Sequence, residues 1–129
     1  MHLPPGFASV FPYFFMRDAA AFVDFLVNGL GGTEVGRNVQ PDGRIANAQV
    51  RLGTATVMVS EASAQFPPMP ASYYLYVEDA DRAHTRALAA GAVELMPPQD
   101  MPYGDRQSGV RDPHGNLWWL SQRLVLGPY

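Results

Sequence analysis

Arginine, tyrosine and tryptophan side chains supply most of the chemistry that this sequence could direct at a small molecule. Asp105 and Arg106 precede a Pro- and Gly-containing turn, and Trp118 and Trp119 follow it. An arginine fork pairs with carboxylates or phosphates, and an aromatic face binds planar organic groups. Two interpretations of Arg106 stay open. Either it pairs with an anionic group of a ligand, or it joins a structural network with Asp105 and Asp112 that holds the hairpin.

The composition excludes several other functions. All nine basic residues are Arg, and Cys and Lys are absent, so Schiff-base lysines and thiol nucleophiles are excluded. We find no Ser-His-Asp set, paired catalytic carboxylates or phosphate-binding glycine loop. The formal net charge of −3 gives no electrostatic basis for binding nucleic acid or an acidic membrane. With no leader pattern and no apolar run of about 20 residues, we expect a cytoplasmic protein.

The elements that position these side chains occur twice, 61 positions apart. Residues 74–80 resemble residues 13–19, and residues 118–121 resemble residues 57–60. Each copy predicts strand, helix, strand, strand, strand, with Asp18 or Asp79 as helix N-cap. In the first copy the strands are predicted at 9–16, 33–39, 44–52 and 55–60, and the helix at 19–30. The modules therefore span 9–60 and 71–123, joined by a proline-rich linker at 61–70, and together they form one structural domain.

The sequence resembles the vicinal oxygen chelate superfamily, which includes glyoxalase I, extradiol dioxygenases and bleomycin-binding proteins. The resemblance rests on the two modules and three motifs: Tyr103-Gly-Asp-Arg, Asp112-Pro-x-Gly-x-x-Trp and Val77-Glu-Asp-Ala-Asp. It is nearest to PhnB-like and bleomycin-resistance-like members. The resemblance implies an α+β fold, in which two tandem βαβββ modules form a curved mixed sheet around a central cavity. It also implies a homodimer, for which residues 7–15 and 124–126 offer apolar contacts.

Metal-dependent members of this superfamily carry His, Gln or Glu ligands on the first and last strands of each module. At the corresponding places on the last strands this chain has Met58 and Trp119, neither of which is a strong ligand for a divalent metal. His2 lies near the N-terminus, His84 is expected on an exposed helix face, and His114 lies in the turn. We therefore predict no metal and no cofactor.

Strand alternation gives a list of side chains that face the predicted cavity. Trp118 has the opposite parity and is predicted to be core, whereas Arg51 either meets a ligand anion or is simply solvated. Aromatic residues on strands are also common in protein cores, so each has a structural alternative. The predicted ligand-binding residues are Tyr13, Phe15, Asn47, Gln49, Arg51, Met58, Tyr74, Tyr76, Arg106 and Trp119.

A cavity with aromatic walls and a few amides suits a planar or amphipathic ligand. The sequence therefore predicts metal-independent binding of a small aromatic or amphipathic organic molecule between the modules, similar to the antibiotic-sequestering members. The alternative is an enzyme of the same superfamily (lyase, isomerase or oxidoreductase), possibly metal-dependent. Glu61 is the one carboxylate near an inward strand end, where it would be a general base or simply exposed. A third alternative is an interaction module with a vestigial cavity.

Overall fold

A computed structural model describes residues 2–129, which fold into two compact units that meet in sequence at Pro70 and Ala71. Each unit contains one helix and one four-stranded mixed sheet in the order strand, helix, strand, strand, strand. The predicted α+β class and the tandem βαβββ modules are therefore confirmed. The central cavity and the grouping into one domain stay predictions. Within residues 2–129, no helix has the length and apolar character needed to cross a membrane.

The first unit places its helix against one face of its sheet. The sheet order is β1-β4-β3-β2, with β1 parallel to β4 and the other neighbours antiparallel. Phe14 on β1 packs against Phe22 on α1 with ring centroids 4.9 Å apart, and both rings are buried. The elements are β1 (Tyr13–Met16), α1 (Ala19–Asn28), β2 (Thr33–Val39), β3 (Ile45–Leu52) and β4 (Ala55–Glu61).

The second unit repeats this architecture with the sheet order β5-β8-β7-β6. Tyr73 on β5 stacks on Trp118 of β8, with centroids 4.9 Å apart, and Trp118 is only 3% exposed. The prediction that Trp118 belongs to the core is confirmed. The elements are β5 (Ser72–Tyr76), α2 (Ala80–Ala89), β6 (Val93–Asp100), β7 (Asp105–Arg111) and β8 (Leu117–Arg123).

Both helices begin one residue after the predicted N-cap aspartate, and each has a second cap from the last strand of its unit. Asp18 accepts a hydrogen bond from the amide of Ala21, and Asp79 accepts one from Arg82. The Glu61 carboxylate accepts from the amides of Asp18 and Ala19 at 2.9 and 3.0 Å. Since free amides and the helix dipole favour an anion there, Glu61 is a helix cap in this structure. Its repeat mate Gln122 accepts from the amide of Ala80.

The segment between β4 and β5 returns to the sheet of the first unit. Phe66 stacks on Phe15 with centroids 5.4 Å apart and an interplanar angle of 17°. The amide of Met69 donates to the carbonyl of Phe15 at 3.3 Å. The segment predicted as a linker thus adds an aromatic ring beside β1.

Candidate ligand-binding site

Five of the predicted site residues in the first unit form one connected patch on the sheet face opposite α1, which we call helix-distal face 1. The Tyr13 hydroxyl and Ser60 Oγ are 2.8 Å apart. Asn47 Nδ2 donates to Tyr13 Oη at 3.4 Å and lies 3.7 Å from the sulfur of Met58. Gln49 Nε2 donates to Asn47 Oδ1. Phe15 completes the patch, its ring 4.7 Å from that of Tyr13.

Arg51 lies at the margin of this patch and is exposed. Its guanidinium lies beside Gly6, where an added Cβ would come within 3.2 Å of Arg51 Nη1. The neighbouring Thr56 Oγ1 donates to the Gly6 carbonyl at 2.7 Å. Arg51 therefore borders the N-terminal segment, and the structure shows no bond that joins it to Asn47 or Tyr13.

Helix-distal face 2, the face of the second sheet opposite α2, is organised around Asp105. This carboxylate is 0% exposed. Its Oδ2 accepts from the hydroxyls of Tyr74 at 2.7 Å and Tyr76 at 3.0 Å, and from that of Tyr129 at 3.3 Å. Its Oδ1 accepts from Arg123 Nη1 at 3.0 Å. A buried carboxylate is tolerated only when it is paired and hydrogen-bonded, and these four donors meet that need.

The Tyr74 hydroxyl is the group whose ionisation this cluster alters most clearly. Burial of the hydroxyl end raises the pKa of Tyr74 well above its ordinary value, and the Asp105 carboxylate raises the pKa further. Tyr74 is nevertheless 47% exposed, because only its polar end points towards Asp105. Tyr74 is therefore a neutral hydrogen-bond donor near neutral pH, and it presents ring surface.

Trp119 lies on the same face, and its position depends on a glycine. Its Nε1 donates to Ser72 Oγ at 2.8 Å, and Gly109 is its register partner on β7. A Cβ added at Gly109 would come within 2.6 Å of Trp119 Cζ3 and 2.9 Å of Cε3. The indole therefore lies directly over the backbone of Gly109, in space that any other residue would occupy.

Arg106 does not belong to this face, so its predicted position beside Trp119 is wrong. Its Nε and Nη2 donate to both oxygens of Asp81 on α2, at 2.9 and 3.0 Å. Its Nη1 donates to Asp100 at 3.0 Å. These bonds lower the pKa of Asp81 and raise the pKa of Arg106. Arg106 thus joins α2 to β6 and β7, on the side of the sheet that carries the helix.

The position of Arg106 was predicted wrongly because of the length of the turn between β7 and β8. Arg111 pairs with Leu117 across a five-residue turn, so register partners have equal parity and Trp119 faces the same way as Gly109. In the first unit a two-residue turn joins Leu52 to Ala55, and partners there have opposite parity. Side chains alternate with a period of two, so the five-residue turn places Arg106 on the helix side and Asp105 on the same face as Trp119.

Asp105, Gln107, Ser121 and Arg123 are the residues of this face that the sequence prediction missed. Gln107 Nε2 donates to Ser121 Oγ at 2.8 Å, and both residues are buried. For Asp105 and Gln107 the missed signal was the turn length, which is visible in the sequence, whereas Ser121 shares the parity of Trp119 on β8. Arg123 lies at the end of β8, beyond the motifs that carried the resemblance.

Asp112 holds the turn, but through partners other than the predicted arginine. Its carboxylate accepts from the amides of His114 and Asn116 at 2.8 and 3.0 Å. It also accepts from Asn116 Nδ2 at 2.9 Å and from Trp118 Nε1 at 2.8 Å. Asp112 therefore links the turn to the core indole.

A comparison with known protein families shows the family to which this chain belongs. Residues 8–120 match the model of the Glyoxalase/Bleomycin resistance protein/Dioxygenase superfamily. The chain belongs to this superfamily. Among its relatives, the uncharacterized proteins Mb0911c of Mycobacterium bovis and Rv0887c of Mycobacterium tuberculosis are each 34% identical over 122 residues. That alignment covers 86% of this chain, with 80% of the first relative and 72% of the second.

Two solved structures have a fold similar to that of this chain. TioX from Micromonospora sp. ML1 is 30% identical with a TM-score of 0.73, covering 94% of this chain and 100% of TioX. TnmS3, described as an antibiotic binding protein from Streptomyces sp. CB03234, is 24% identical with a TM-score of 0.67. That comparison covers 95% of this chain and 99% of TnmS3; at this identity the likeness shows the fold alone.

The residues at the superfamily's metal-ligand positions do not fit a divalent metal. Trp119 has only an indole N–H, which donates to Ser72, and the Met58 sulfur lies beside Asn47 Nδ2. Across residues 2–129, no three or more His, Cys, Asp or Glu side chains are grouped so that they could hold a metal ion.

His84 is buried, so its predicted exposure on α2 is wrong. It is 6% exposed and lies on the buried stripe of α2 with Ala80 and Ala87. Its Nε2 is 3.4 Å from Glu94 Oε2 on β6. The helical spacing of these three residues places His84 towards the sheet, on the side away from Trp119.

Proposed function

We propose that this protein binds a small aromatic or amphipathic organic molecule without a metal ion, with helix-distal face 2 as the main contact surface. One observation carries the proposal: on face 2, half-exposed tyrosine rings and an indole surround polar groups that are already fixed by hydrogen bonds. The rings of Tyr74 and Tyr76 are 5.3 Å apart, and both hydroxyls are held by Asp105. Aromatic surface with a few positioned polar groups is typical of small-molecule sites.

The order already present in these side chains supports binding. Immobilising a flexible side chain costs about 0.5–1.5 kcal/mol on association. Tyr74, Tyr76 and Trp119 are anchored by their polar ends, to Asp105 and to Ser72. A ligand that contacts their rings therefore loses little free energy to ordering them.

Face 1 supports the same type of ligand with different polar groups. Tyr13 is 47% exposed, and its ring lies 4.7 Å from that of Phe15. Asn47 and Gln49 present amides next to it, and the Met58 thioether is an adaptable apolar contact. These amides offer donors and acceptors to a neutral ligand.

One structural neighbour supports a choice of ligand class to test first. TnmS3 is described as an antibiotic binding protein, and an aromatic antibiotic would contact the exposed tyrosine and indole rings described above. We accordingly propose antibiotic sequestration, and hence antibiotic resistance, as the biological role. The mechanism is burial of the intact molecule, with no bond made or broken.

The experiment is a fluorescence and calorimetric titration of the metal-depleted protein with a panel of aromatic antibiotics, including bleomycin-type compounds. We expect at least one compound to bind without added metal. Trp119→Ala should lower the affinity for that compound at least about fivefold, because an aromatic contact is lost. Tyr73→Phe is the matched control, since Tyr73 lies on the helix side against Trp118.

Two results would contradict the proposal. If no compound of the panel binds or raises the melting temperature, binding loses its support. If binding or turnover of a compound requires a stoichiometric divalent metal, the enzyme alternative replaces it.

We also propose a homodimer in the cytoplasm. Leu124 and Val125 are about half exposed and Leu126 is fully exposed, so this apolar run offers contact area for a second copy. Light scattering coupled to size exclusion tests the dimer, and a monomer at micromolar concentration would contradict it.

A further inference from the structure

Tyr129 occupies helix-distal face 2 as a phenol attached to the protein's own chain. Its hydroxyl donates to Asp105 Oδ2 at 3.3 Å. The guanidinium carbon of Arg123 lies 4.8 Å from its ring centroid, and the ring of Tyr103 meets it edge-on at 6.3 Å. An acceptor, a cation above the ring and an aromatic edge therefore surround this phenol.

The Arg123 side chain holds the segment that carries Tyr129 by its backbone carbonyls. Its Nη2 donates to the carbonyls of Gly127 and Pro128, each at 3.0 Å. The amide of Leu124 donates to the carbonyl of Gly104 at 2.9 Å. None of these bonds needs the Tyr129 side chain, so the ring can leave while the segment stays attached.

The bond from Tyr129 is the weakest of the four that Asp105 accepts. Three hydroxyls converge on Oδ2, whereas a carboxylate oxygen offers about two lone-pair sites. Tyr74 and Tyr76 make the shorter bonds, at 2.7 and 3.0 Å, and Tyr129 is 76% exposed. Asp105 would remain paired with Arg123 and both other tyrosines if Tyr129 moved away.

We propose that Tyr129 is an exchangeable internal occupant of a subsite for phenols, and that the ligand is an aromatic molecule with a free phenolic hydroxyl. Its hydroxyl donates to Asp105 Oδ2 and its ring takes the place below Arg123. This inference rests on the proposed function, because it names the ligand class of that same face. It also makes Tyr129 a competitor, which sets a lower limit on how tightly a ligand must bind to displace it.

The test uses p-cresol, which is the tyrosine side chain as a free molecule, and 4-methylanisole, in which a methyl ether replaces the hydroxyl. Both are titrated by NMR into the wild type, Tyr129→Ala and Tyr129→Phe, following the indole of Trp119 and the guanidinium of Arg123. We expect p-cresol to bind Tyr129→Ala at least about fivefold more tightly than the wild type, as loss of one competing hydrogen bond predicts. In Tyr129→Phe, which retains the ring, the gain is smaller.

The ether supplies the second comparison. In Tyr129→Ala, 4-methylanisole should bind at least about fivefold more weakly than p-cresol, because it cannot donate to Asp105. The inference would be overturned if p-cresol bound the wild type and Tyr129→Ala with equal affinity, or if the two probes bound Tyr129→Ala equally. It would also be overturned if p-cresol did not bind Tyr129→Ala. These outcomes are independent of the antibiotic panel, whose failure in the wild type is the result that rejects the proposed function.

Discussion

Replacing Gly109 with alanine tests the packing on which Trp119 depends. The new Cβ would lie 2.6 Å from Trp119 Cζ3, whereas carbon atoms in ordinary contact are about 3.5–4.0 Å apart. The indole must therefore move by roughly 1 Å, against a backbone that is paired on β7 and β8. A shift of this size stretches the 2.8 Å bond from Trp119 Nε1 to Ser72 towards the limit of a hydrogen bond.

The expected effect of Gly109→Ala is a loss of about 1–3 kcal/mol in the free energy of unfolding, as for other overpacked sites. The sign of this change is informative, because Gly→Ala at an unstrained position without a clash stabilises a protein by about 0.4–1 kcal/mol. Urea unfolding provides the free energies. Ligand affinity in the same variant should fall, since the displaced indole no longer presents its anchored face.

A double-mutant cycle with Trp119→Ala provides the control. Without the indole the Cβ at position 109 meets no ring, so Gly109→Ala in that background should no longer destabilise. We expect a coupling free energy of at least about 0.5 kcal/mol, within the range for residues in contact. If Gly109→Ala were as stable as the wild type, or equally destabilising with and without Trp119, the reasoning about this contact would be refuted.

Three further predictions concern other side chains of the second unit. Asp112→Ala should lower the free energy of unfolding by about 2–4 kcal/mol, because the buried Trp118 Nε1 loses its acceptor. Equilibrium unfolding measures this loss, and a loss no larger than that of a surface substitution would contradict the prediction. Arg106→Ala should leave ligand affinity unchanged in calorimetry, because Arg106 pairs with groups on the helix side; weakened binding would contradict its position. The raised pKa of Tyr74 means that the folded protein retains a proton that the unfolded chain releases above pH ~10. Stability should therefore fall above that pH, by at most about 1.4 kcal/mol per pH unit for this half-exposed group, and a slope unchanged in Tyr74→Phe would contradict this.

The sequence alone was sufficient to predict the two modules, because the internal repeat and the local helix-cap signals indicate the same elements. The strand and helix patterns recur at a fixed offset, and Asp18 and Asp79 lie where the helices begin. Trp118 was recognised as core from its parity. These features depend on neighbouring residues, which is the kind of information that a single sequence holds.

The site was predicted less well, because its members depend on which strands pair and in which register. Tyr13, Asn47 and Met58 lie together as predicted, since a two-residue turn fixes the register between β3 and β4. Applying the same parity across the longer turn before β8 pointed Arg106 to the wrong side and hid Asp105. A one-residue change of parity exchanges the two faces of a strand.

Only the tertiary structure decided what surrounds Asp105. Tyr74 and Tyr76 come from β5, Arg123 from the end of β8, and Tyr129 from the segment that follows. No spacing in the sequence brings these groups to one carboxylate. They meet because a buried charge must find donors wherever the folded chain supplies them, and long-range pairing of strands, unlike a helix cap or a turn, is not encoded in any local pattern.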